Sequence, residues 1–181
     1  MQEHFSTATT MTENIKKLYT SGFEASTILE ESFKRPIDLG DFDEFLLKLF
    51  TLSDVDIDSC QRLIMESLLW KDYLSDIKSM VTVYTDRFVC VKENYESLLE
   101  IMRNEKVLPK SLLTRCKIKS DTVGDILMEV AQKERVTLQK IQTLKLFLKY
   151  LDSYISYLTQ VYWKLRNMVQ GYGSRYWNVI D

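Results

Sequence analysis

The chain of 181 residues is about the size of one domain, and 45% apolar with 12% aromatic content is enough to bury a sizeable core. Five Gly and two Pro leave few places for tight turns, hairpins or phosphate-cradling loops, which argues for long helices. A formal charge of -2 excludes a generally basic, nucleic-acid-coating protein, and three cysteines without a CxxC pair suggest neither a disulfide framework nor a zinc site.

Residues 1–11 are expected to be disordered. They hold no apolar run long enough for a signal peptide, and the sequence has no N-x-[ST] acceptor, so the expected location is intracellular, in cytoplasm or nucleus. His4 is the lone histidine, which leaves no His-pair metal site and offers a poor general base in such a segment. A single helical-bundle domain is expected over 12–170. Its first helix, 12–34, carries Ile15, Leu18, Ala25, Ile28, Leu29 and Phe33, with Gly22 as a weak point.

The KRPIDLG stretch from Lys34 to Gly40 ends that helix, and a second is expected over 41–52, where DFDE has the shape of a capping box before FLLKLF. The following DVDID run resembles the start of a calcium loop, with Asp54, Asp56 and Asp58 alternating. It fails where such a loop wants Gly and Glu, since Ser59 and Met65 stand there, so these acids read as helix caps.

A long helix is expected over 56–106. Positions spaced alternately by three and four run from Cys60 through Leu63, Trp70, Leu74, Ile77, Val81, Tyr84, Phe88, Val91, Tyr95 and Leu98 to Met102, interrupted only by Ser67. Such a repeat keeps one seam toward a partner helix. Cys60 and Cys90 fall in or beside apolar positions and read as small core residues.

Pro109 should end or restart a helix, a short helical tip is expected over 110–118, and Ser120 or Asp121 offers the next N-cap. Charge is uneven here: residues 1–104 hold 11 basic against 19 acidic side chains, whereas 105–149 hold 10 against 5. Lys106, Lys110, Arg115, Lys117 and Lys119 therefore form a candidate contact for an anionic partner, nucleic acid or membrane surface.

The last long helix is expected over 121–170, with a seam from Val123 through Leu127, Val130, Ile141, Leu144, Leu148, Leu151, Ile155, Leu158, Tyr162 and Leu165 to Val169. Glu134 and Thr137 make a polar layer in it; either they hold register, or the helix shifts so that Val136 and Leu138 take over. Charges at Lys145, Lys149, Asp152 and Lys164 exclude a transmembrane segment. Phe147, Tyr154, Val161 and Met168 widen the apolar stripe, so this helix needs at least two neighbours. Tyr150, Tyr157 and Trp163 lie outside the stripe. In the tail, 171–181, Gly171 and Gly173 should stop the helix before the aromatic residues Tyr172, Tyr176 and Trp177.

The expected fold is all-α: an elongated bundle built on a long antiparallel, coiled-coil-like helical hairpin, with shorter N-terminal helices alongside. No GxGxxG, GxxxxGK[ST] or GxSxG occurs, so no catalytic, cofactor-binding or metal-ligating residue is assigned and no cofactor is expected. The functional expectation is a non-enzymatic scaffold subunit of a cytoskeletal, chromosome-associated or tethering assembly. It would bind helical or coiled-coil proteins, or a second copy of itself, through Phe147, Tyr150, Tyr154, Tyr157, Val161, Trp163, Tyr172, Tyr176 and Trp177. The alternative is binding of nucleic acid or an anionic membrane through the basic tip.

Overall fold

The computed structural model describes the backbone of residues 2–50, 56–104 and 109–177, and the side chains of 13–49, 56–104 and 109–171. Among these residues five helices form an all-α bundle: α1 (Gln2–Phe33), α2 (Phe42–Phe50), α3 (Ile57–Asn104), α4 (Lys110–Arg115) and α5 (Val123–Trp177). No helix is long and apolar enough to cross a membrane among the described residues.

Several helix boundaries differ from the sequence reading. The first helix begins at Gln2, inside the stretch expected to be disordered. The last runs through Gly171 and Gly173 to Trp177, because a helix-interior glycine costs only about 1 kcal/mol against alanine and does not by itself end a helix. The chain divides into two compact units, Met1–Ser79 with Phe147–Asp181, and Met80–Leu146.

In the first unit α1 stops at Lys34, whose N–H bonds the Glu30 carbonyl at 3.0 Å and whose positive φ of 52° turns the Arg35 N–H back toward the Leu29 carbonyl at 3.5 Å. Pro36 then keeps Arg35 from continuing a helix. Ser26 folds the connecting segment back: its Oγ accepts the Ile37 N–H at 3.0 Å and donates to Glu30 at 3.1 Å. At the start of α2 the expected capping box is replaced by a distant residue. The Tyr19 hydroxyl accepts the Asp43 N–H at 3.1 Å and donates toward the Gly40 carbonyl at 3.2 Å or Asp43 Oδ1 at 3.3 Å. Burial, reinforced by the Asp43 and Asp41 charges, pushes that phenol up to about 12.

The core of this unit joins Leu18, Ala25 and Leu29 of α1 and Phe42, Phe45 and Leu46 of α2 to Cys60, Leu63, Leu74 and Ile77 of α3 and Phe147, Leu151 and Leu158 of α5, all buried. Lys78 of α3 and Asp152 of α5 close an exposed ion pair at 2.6 Å. Gly22 is a close-approach point: a Cβ there would stand 3.0 Å from Leu39 Cδ1 and 3.2 Å from Phe147 Cε2. Its lack of a side chain is what lets Phe147 reach α1.

In the second unit α3 and α5 pair antiparallel. The Lys140 ammonium lies 5.7 Å from the centre of the Phe88 ring, and farther along Leu98, Leu99 and Met102 pack with Ile126, Val130 and Cys116. Cys116 is thus core and Cys90 is exposed, which reverses the reading of Cys90 as a core residue. The expected α3 seam is followed to Val81 and again at Leu98 and Met102, while between them Thr85 is buried and Val91 is exposed. In α5 the polar layer stays: Thr137 is buried with its hydroxyl donated to the Lys133 carbonyl at 2.8 Å, while Val136 and Leu138 remain exposed.

The N-cap of α5 is Thr122, in place of Ser120 or Asp121. Its Oγ1 receives the Asp125 N–H at 3.3 Å and pairs with the Asp125 carboxylate at 2.5 Å. The tip helix is shorter than expected because Lys117, at φ 50°, forms a left-handed stop in which the Ile118 N–H returns to the Leu113 carbonyl at 3.0 Å.

Candidate functional site

A concave feature of the first unit is built by α2 and the segment before it against the outer face of α3. Phe42 and Phe45 of α2 hold the Trp70 indole, with ring centroids 5.0 and 6.3 Å away, the second nearly parallel at 25°. Tyr73, one turn along α3, meets the same indole at 5.8 Å and 72°. Its hydroxyl donates to the Asp38 carbonyl at 2.5 Å, and Asp38 Oδ1 accepts the Gly40 N–H at 2.8 Å. The Tyr73 phenol is raised by burial and then by the Asp38 charge. These two rings are therefore fixed from behind.

They form walls of an open groove of about 410 Å³, lined among the described residues by Asp38, Gly40, Glu66, Leu69, Trp70 and Tyr73. Gly40 has φ 47°, a conformation glycine adopts without strain, and it brings the backbone close under the indole. Beside the groove Met65, Leu69 and Tyr73 follow one another at four-residue spacing, 60%, 66% and 41% exposed. This stripe lies outside the seam that the sequence reading traced. The i, i+4, i+8 recurrence was its signal, and it was shadowed by the longer and more regular inner series.

The residues expected to meet a partner separate by burial. Phe147 is 0% exposed and Tyr154 is buried, its ring edge-on to Phe42 at 5.6 Å, so the chain's own N-terminal helices cover both. The Tyr154 hydroxyl is buried without a hydrogen-bond partner among the described residues, and burial pushes its phenol up to about 12. Tyr150, Tyr157 and Val161 are half-buried, and burial raises the Tyr157 phenol. Trp163 remains 52% exposed, with Tyr162 at 5.3 Å and the Arg166 guanidinium 5.2 Å over its ring. The side chains of Tyr172, Tyr176 and Trp177 lie outside the described residues.

Of the basic tip, Lys106 lies outside the described residues, and Lys110, Arg115, Lys117 and Lys119 are all exposed. Their loop is tied to α5. Glu129 accepts the Lys119 and Ser120 N–H groups, each at 3.1 Å, and pairs with Lys133 at 2.8 Å, while the Lys133 ammonium also donates to the Lys117 carbonyl at 2.6 Å. The Lys133 hydrogen bond first, then that of Ser120, pulls the Glu129 carboxyl down to about 2.

Among the described residues no three His, Cys, Asp or Glu side chains are grouped so as to hold a metal ion. Asp56 acts as a helix cap instead, its Oδ1 accepting the Ser59 N–H at 2.5 Å, and this bond lowers its carboxyl. Asp54 lies outside the described residues. No family model matches the chain, and neither a curated protein nor a solved structure matches it.

Proposed function

We propose that the chain is a non-enzymatic interaction subunit of an intracellular multiprotein assembly, which docks a helix of another protein in coiled-coil fashion on its exposed α3 face. The observation that carries this reading is the Met65, Leu69 and Tyr73 stripe, a run of exposed apolar side chains at helical spacing beside a groove with fixed aromatic walls. A partner helix presenting residues at i, i+3, i+4 and i+7 would remove that apolar area from water, with flanking charge setting which helix fits. Trp163, with Arg166 stacked on it, supplies a second exposed aromatic anchor on α5.

The test is affinity capture of the full chain and of a Met65→Ser/Leu69→Ser variant, washed at low and high salt. The reading requires a stoichiometric protein that survives high salt on the parent chain and is lost from the variant. Equal capture by both chains would refute it.

A second reading is favoured by the tied loop, which holds Lys110, Arg115, Lys117 and Lys119 on an exposed surface, without a carboxylate ion pair for any of them among the described residues. Such a surface suits nucleic acid or an anionic membrane. Binding there would fall steeply with salt, whereas a docked helix is little affected.

A further inference from the structure

The α3 groove has walls of one kind and charge of one sign. The Trp70 indole and Tyr73 phenol stand at 72° to each other, the first pinned by Phe42 and Phe45 and the second by its hydrogen bond to Asp38. Two acidic residues, Asp38 and Glu66, line the same hollow. Neither forms an ion pair with any described Lys or Arg. The surrounding sequence deepens the imbalance, because residues 38–76 hold ten acidic against three basic side chains, a balance of -7.

An apolar ligand alone would leave these two charges uncompensated beside it, and an anion would be repelled. A cation with an aliphatic collar satisfies every wall. Its charge lies within reach of the carboxylates and over the ring faces, whose quadrupoles attract it, and its methylenes cover Leu69. A planar guanidinium adds stacking on the indole and a fork that matches a carboxylate, which an ammonium lacks.

Resting on the interaction reading above, we infer that the groove lined by Asp38, Glu66, Trp70 and Tyr73 is the seat for an arginine side chain of a basic, amphipathic partner helix, whose apolar residues lie on Met65 and Leu69. Arginine is the specificity contact and the stripe supplies the area. A partner carrying glutamate at that position is rejected by like charge against Asp38 and Glu66.

The probe is n-butylguanidinium, with neutral n-butylurea as its near-isostere, titrated into the full chain labelled with ¹⁵N. The chain has three tryptophans, and Trp70→Phe assigns its indole N–H signal. The expected result is a saturable shift of the Trp70 signal with n-butylguanidinium, at least about fivefold weaker with n-butylurea, as exposed ion pairs and cation–π contacts of this kind supply. Asp38→Asn/Glu66→Gln should abolish that preference at unchanged Tm, since both amides keep a hydrogen-bond acceptor. Equal affinity for the two probes, no shift at Trp70, or a preference that survives the double variant would each overturn the arginine seat. Capture separates this from the broader reading: a partner kept by Asp38→Asn/Glu66→Gln but lost from Met65→Ser/Leu69→Ser removes the arginine seat alone. A partner kept by both removes the docking face.

Discussion

Replacing Phe147 by alanine separates a core residue from a partner contact. The ring is fully buried, and what it packs against on α1 is Gly22, which has no side chain to swing into the space it would leave. Phe→Ala in a core costs about 3–5 kcal/mol, and the least collapsible sites fall at the upper end, so the expected loss is about 4–5 kcal/mol. For a chain of this size each kcal/mol shifts Tm by roughly 2–4 °C, which puts the expected fall at about 8–20 °C. The assay is urea unfolding of the isolated chain, with a thermal melt, both followed by far-UV circular dichroism. Trp163→Ala serves as the exposed comparison and should stay within about 0.5 kcal/mol of the parent. A Phe147→Ala chain that loses less than about 1 kcal/mol would return Phe147 to the partner face and refute the packing of α5 against α1.

Tyr154→Phe removes a buried hydroxyl that has no hydrogen-bond partner among the described residues, and should leave stability unchanged or raise it by about 1 kcal/mol in the same urea titration. A loss above about 1 kcal/mol would mean that the hydroxyl is bonded. Glu129 has its carboxyl drawn down to about 2, below the unfolded value near 4.5, so its contribution is present above pH 4.5 and fades as pH falls toward 2. Carboxyl NMR titration reads this directly, and Glu129→Gln should flatten that part of the stability profile. Lys34→Gly relieves a left-handed residue, which costs an L-amino acid about 1–2 kcal/mol. Glycine's greater unfolded freedom returns part of that, for a net gain of about 0.5–1 kcal/mol by chemical denaturation.

The two long helices were legible because their apolar periods are sustained, and a period needs no knowledge of the partner to be read. What the period could not supply was depth. Phe147 and Tyr154 widen the α5 stripe in a way that demands a neighbour, and only the fold shows that the neighbour is α1 and α2 of the same chain. The Tyr19 cap on α2 joins residues 24 apart, and the Glu129 tie joins residues about ten apart, so neither leaves a local signature. Thr122 was passed over for its neighbours Ser120 and Asp121, whose side-chain types cap equally well; Ser120 bonds Glu129 instead. The groove was hidden for a related reason. Asp38 and Gly40 precede α2 while Glu66 and Trp70 lie on α3, and nothing in spacing alone brings them to one hollow.

Gly22 lies inside α1 and Gly124 in the first turn of α5, and a stabilisation scheme working from helix propensity would favour alanine at both, by about 1 kcal/mol at the interior position and by less at the helix start. Their surroundings give the two conversions opposite signs. At Gly124 the added methyl meets no described atom within 4 Å and the gain stands. At Gly22 it presses on Leu39 and Phe147, and overpacking of about 1–3 kcal/mol exceeds the propensity gained. The position works as a gauge block: the absence of one methyl sets the gap between α1 and α5. Larger side chains there would widen that gap stepwise, which makes a graded Ala, Val and Leu series at residue 22 a ruler for how far α1 can lift before the first unit opens.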